Sequence, residues 1–144
     1  MHRAPKLTVL VAASVAAVAL GGSLAYSSAT SQGVQFRPVN IRVTCSDGQV
    51  DEVNIRPWTA NLSRNQSQQL RWQLTGGGPD SVTIRPKSNS SWPFDSSTPL
   101  TVSAGGNGTP SGAISGADGT YYYDIVANCG DGATVIDPRM DIRP

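Results

Sequence analysis

The chain has 144 residues, with eleven Lys and Arg against ten Asp and Glu, a formal net charge of +1 that leaves no basic excess to recruit nucleic acid. Its single histidine is His2, so Ser-His-Asp and Cys-His catalysis and histidine zinc sites are excluded from the rest of the chain. Charged residues are 15% of the whole, and the neutral polar balance suits an extracellular β-protein.

Arg3 and Lys6 lead into an unbroken run of apolar and small residues from Leu7 to Leu20, the layout of a secretory signal peptide. The run is shorter than the roughly 20 residues of a membrane-spanning helix, although counting on to Ala25 gives room for an uncleaved anchor. Ser23-Leu24-Ala25 and Ser27-Ser28-Ala29 both offer cleavage sites. Taking the second, residues 1–29 are read as a signal peptide, 30–35 as a short flexible N-terminus and 36–144 as one domain. Cleavage there leaves nine basic against ten acidic residues, a net of −1, and no stable membrane insertion. The destination is then secreted, periplasmic or cell-surface. Cys45 and Cys129, the only cysteines, both lie in the exported part, and an even count in an oxidising compartment predicts a disulfide.

Period-two alternation dominates the exported part. Val39, Ile41, Val43 and Cys45 share one face of a half-buried strand, Ser46-Asp47-Gly48 turns the chain, and Val50, Val53 and Ile55 continue to Arg56-Pro57. Leu70-Arg71-Trp72-Gln73-Leu74 alternates again after a polar stretch, and Ser81-Val82-Thr83-Ile84 is a short strand. Residues 87–99 read as a loop holding Trp92-Pro93-Phe94, Pro99–Val102 as a further strand, and Gly105–Gly116 as a long flexible connection. Tyr121, Tyr123, Ile125, Ala127 and Cys129 then fall on one face of the clearest strand, opposite Tyr122, Asp124, Val126 and Asn128. Strands around Ala133–Ile136 and Met140–Ile142 finish the chain. The tripeptide Ile-Arg-Pro occurs at 55–57, 84–86 and 142–144 and marks strand ends, where proline blocks further pairing. The expected fold is an all-β, antiparallel Greek-key sandwich of seven or eight strands with one disulfide.

Two stretches resemble the cupredoxins, the sandwich fold of plastocyanin and azurin. Ile55-Arg56-Pro57, Leu62 and Asn65 to Trp72 are similar to that family's proline-ended strand, polar turn and tryptophan-bearing strand. Asp118-Gly119-Thr120-Tyr121-Tyr122-Tyr123 is similar to the strand that precedes its copper loop. The resemblance implies a cupredoxin-like scaffold. It does not imply the metal, because copper there needs two imidazoles and a thiolate, usually with a weak methionine. The copper cysteine's place is taken by Ile125, and Met140 alone ligates nothing. An immunoglobulin-like sandwich is the second resemblance. Asp118-Gly119-Thr120-Tyr121 fits a tyrosine corner, yet that pattern expects cysteine at Tyr123, and either Trp58 or Trp72 can be its core tryptophan.

Trp92 and Phe94 on a polar loop, with Tyr122 facing away from the cysteine face, form the candidate binding loop for an extracellular protein or glycan. The bland reading is that the loop aromatics plug one end of the sandwich. Asp47 and Asp131 each lie two residues from the expected bridge and are candidate calcium ligands, though Asp-Gly is more often a turn former. The expectation is a non-catalytic binding or structural module needing no cofactor. Its alternatives are a calcium-stabilised adhesion or carbohydrate-binding domain and a carboxylate-based enzyme.

Overall fold

In the computed structural model, which describes residues 33–144, the alternation becomes ten β-strands. These are β1 (Gln35–Ser46), β2 (Gln49–Arg56), β3 (Thr59–Ser63), β4 (Gln68–Thr75), β5 (Ser81–Pro86), β6 (Leu100–Ser103), β7 (Thr109–Pro110), β8 (Gly119–Asn128), β9 (Ala133–Ile136) and β10 (Arg139–Arg143). The expected signal peptide, residues 1–29, lies outside the described residues. Gln35, expected in the flexible N-terminus, already pairs with Gln68 as the first residue of β1.

One sheet has four strands in the order β2-β1-β4-β7, and the other runs β3-β10-β8-β5-β6, with β9 also pairing β8. β9 pairs Ile125–Asn128 and β10 pairs Gly119–Tyr122, so the two share one edge of β8 while β5 takes the other. Two expectations are corrected. The strands number ten rather than seven or eight, because β3 and the two-residue β7 carry little apolar pattern. The sandwich is mixed rather than antiparallel, since β1 pairs β4 and β3 pairs β10 in parallel. The cause is connectivity. β1 and β2 form a hairpin, the chain then crosses to the second sheet as β3, and it returns as β4 running alongside β1.

Inward positions of both sheets make the core: Val39, Ile41 and Val43 from β1, Leu70 and Trp72 from β4, Val82 and Ile84 from β5, and Tyr123, Ile125 and Ala127 from β8. Trp72 is wholly buried and Trp58 is 51% exposed, which decides between the two tryptophans. All three Ile-Arg-Pro copies do end strands, β2, β5 and β10.

Cys45 and Cys129 are bonded across the two sheets, with their Cα atoms 5.7 Å apart. Packed sheets stand about 10 Å apart at mid-sandwich, so such a bridge requires converging ends. At that end the β1–β2 ladder is irregular: Thr44 pairs Glu52 and Cys45 pairs Val50, so Asp51 is the extra residue of a bulge on β2, a feature that locally increases the twist of the pair.

Gly105–Gly116 is not a flexible connection. Ser111 is fully buried; its N–H donates to the Leu70 carbonyl at 2.9 Å and its hydroxyl accepts from the Leu70 N–H at 3.0 Å. Ser115 and Gly116 donate to the Pro93 carbonyl. Backbone and hydroxyl pairing, invisible to an apolar pattern, fix this segment against β4 and the Trp92 loop.

Candidate functional site

Trp92-Pro93-Phe94 lies in the β5–β6 connection and folds onto the core. Phe94 is 4% exposed and Trp92 half-buried. The Trp92 and Trp72 rings stack with centroids 6.0 Å apart, and Phe94 meets Trp72 edge-on at 6.4 Å. Trp92 Nε1 donates to Ser96 Oγ at 3.1 Å, and that hydroxyl donates to the Ser111 carbonyl. A phenyl ring so covered has no face for a ligand, so the binding reading of Phe94 is corrected to that of a core plug. Tyr122 is 46% exposed on the opposite side of the second sheet, beside Arg139. Phe94 and Tyr122 therefore do not form one binding surface.

Beneath this cluster, the buried Tyr123 hydroxyl accepts from Trp72 Nε1 at 3.4 Å. Burial pushes its phenol up to about 12, a rise that the Trp72 contact only partly offsets. Ile125, at the copper cysteine's place in the resemblance, is wholly buried, as is Met140.

At the disulfide end, Asp47 (φ 53°) and Gly48 (φ 76°) form the two-residue loop of the β1–β2 hairpin. Both lie in the left-handed region that a type I′ turn requires. Asp131 N–H donates to the Gly48 carbonyl at 2.8 Å, and a Cβ on Gly48 would stand 2.5 Å from the Asp131 carboxylate. Asp47 and Asp131 thus belong to adjoining turns. Calcium takes six to eight oxygens, and among the described residues no three or more of His, Cys, Asp and Glu gather as a metal-holding group.

A feature missed in the sequence lies on the outer face of the first sheet. The strand registers set Arg56, Asn40 and Gln73 in one row and Asn54, Arg42 and Thr75 in the next. Glu52 and Thr44 lie beyond the second row, and Arg71 beside Pro38 lies before the first. Asn40, Arg42, Glu52, Asn54, Arg56 and Thr75 line a shallow depression of about 400 Å³. Arg71 holds its guanidinium 3.5 Å from the centre of the Phe36 ring, and Arg56 Nε donates to Asn54 Oδ1 at 3.2 Å. The ion pairs lie elsewhere: Arg64 with Asp118, Arg85 with Asp124 and Lys87 with Asp137. In the last, each partner favours the other's charge, raising the Lys87 pKa and lowering that of Asp137. Among the described residues, Arg42, Arg56 and Arg71 are paired with no carboxylate. The sequence does carry the even-numbered polar positions of β1 and β2; it does not tell which strand lies beside them.

No protein-family model, curated protein or solved structure matches this chain. Its functional reading rests on its own residues.

Proposed function

We propose that the chain is an exported, non-catalytic module that works by binding an extracellular partner, on a cupredoxin-like Greek-key scaffold without the copper site. The observation that carries this reading is the Cys45–Cys129 bridge, which uses both cysteines to staple one sheet to the other. Such a bridge is compatible with an extracellular or otherwise oxidising compartment, and a signal peptide over residues 1–29 supplies the route.

The scaffold reading is supported by where the two resembling stretches meet. Trp72 of β4 and Tyr123 of β8 touch across the core, with ring centroids 5.9 Å apart. One observation favours the immunoglobulin-like alternative: Tyr121 donates its hydroxyl to the Ala117 carbonyl at 2.7 Å, the contact of a tyrosine corner. Against it, the cysteine expected two residues later is Tyr123.

The test is an intact mass of the exported protein, with and without reduction before alkylation. The expected species starts at Thr30, takes up alkylating agent only after reduction and carries no metal-sized excess under native conditions. Retention of residues 1–29, or alkylation without reduction, overturns the reading.

A further inference from the structure

We infer that the outer face of the β2-β1-β4 sheet binds an acidic polysaccharide, one bearing carboxylate or sulfate groups; this rests on the binding-module reading above. Charge complementarity identifies the occupant. Arg42, Arg56 and Arg71 stand together on one face with Glu52 as its acidic residue and with no ion pair among them, whereas Arg64, Arg85 and Lys87 are matched to aspartates. A guanidinium fork without a protein carboxylate presents paired donors in the geometry that a carboxylate or sulfate accepts.

Two of the three arginines are held in place. Arg56 is fixed through Nε by Asn54, which leaves its terminal nitrogens free, and Arg71 lies over the Phe36 ring. Arg71 Nε is buried with no hydrogen-bond partner. Neighbouring strands lie about 5 Å apart and alternate residues about 7 Å apart, so the three charges spread over roughly 10 by 14 Å. That footprint is too broad for a single small anion and suits consecutive groups of a short oligosaccharide. Between the charges stand Asn40, Asn54, Gln73 and Thr75, whose amides and hydroxyl can both donate to and accept from sugar hydroxyls.

A protein partner fits this face less well. Interfaces draw most of their energy from buried apolar anchors, and the large apolar ring here, Phe36, has a face occupied by the Arg71 guanidinium. Single-stranded nucleic acid fits less well for the same reason, since it relies on open aromatic rings for base stacking.

The experiment uses the exported, oxidised chain. Binding to polygalacturonate and heparin is measured by calorimetry and affinity electrophoresis at low salt, beside neutral dextran and oligothymidylate. Both acidic polymers are expected to bind and to be released by salt. The double variant R42Q/R56Q should bind about tenfold more weakly or worse, whereas R85Q/K87Q, on the other sheet, should match the parent. N40A/Q73A, which changes no charge, should weaken polysaccharide binding several-fold.

Failure of both acidic polymers to bind, equal loss in R85Q/K87Q, or oligothymidylate binding as tight as heparin overturns the inference. So does N40A/Q73A binding that matches the parent. Alkylation state and thermal unfolding are followed on the same samples. A folded, oxidised chain that ignores both polymers sinks this inference and leaves the exported-module reading standing. A chain with free thiols sinks that reading and this one with it.

Discussion

Ionising a phenol inside an apolar core is unfavourable because the charge has lost its water, and Tyr123 is wholly buried with one weak donor, Trp72, to compensate. Its folded-state pKa of about 12 stands above the ordinary 10.0, so the folded chain holds a proton that the unfolded chain releases first. The resulting stability is fully present below pH 10 and is lost as pH rises from there toward 12, about 3 kcal/mol in all. Urea unfolding at a series of alkaline pH values should therefore show a steeper decline for the parent than for Tyr123→Phe. Parallel declines would show that another group governs alkaline unfolding. Gly48 offers a second test at this scale, because its φ of 76° and the Asp131 carboxylate 2.5 Å from a built Cβ act together. Gly48→Ala should cost about 2 kcal/mol, and adding Asp131→Gly should recover the steric share while leaving the backbone strain of about 1 kcal/mol. A double variant no more stable than Gly48→Ala alone would mean that the carboxylate swings aside freely.

Among the elements, the Trp92 loop behaves as part of the core. Phe94→Ser removes a buried ring and should cost about 3–4 kcal/mol; Trp92→Ser, from a half-buried position, should cost about half of that. Denaturant midpoints decide this, and near-neutral values would make the loop a binding surface again. The same loop shows how unevenly the fold can be read from its residues. β1, β4 and β8 are legible because Val39, Ile41 and Val43, then Leu70, Trp72 and Leu74, then Tyr121, Tyr123, Ile125 and Ala127 put apolar or aromatic side chains at successive inward positions. β3 is not, since Ala60 and Leu62 are its two buried side chains and neither makes a pattern alone. Gly105–Gly116 reads as flexible because its order comes from bonds to Leu70 and Pro93 rather than from side-chain periodicity. The arginine face is hidden for another reason. Arg42, Arg56 and Arg71 each sit at a plain outward position, and they become neighbours through the β1–β2 hairpin and the parallel register that sets Asn40 beside Gln73. Alternation tells which face a residue takes but not which strand lies next to it.

For the whole molecule, the bridge and the arginine face occupy different parts of the same sheet. The disulfide closes 84 positions, for which chain entropy gives at most about 4–5 kcal/mol, and about 3 kcal/mol is a realistic share. For a domain of this size, Cys45→Ala/Cys129→Ala should lower Tm by roughly 15 °C. Cys45 lies past the bulge at the end of β1, whereas Asn40 and Arg42 pair with Arg56 and Asn54 before it, in the regular part of the ladder. Loss of the bridge should thus free the end of the sandwich and leave the grid of side chains intact. Stabilisation by a ligand depends on its affinity for the native state and its concentration. An acidic polysaccharide should therefore raise Tm by a similar amount in the bridged protein and in the variant, even though their baselines differ. A shift present only in the bridged protein would mean that the staple sets the register of the whole first sheet, so that the binding face exists only after the bridge has formed.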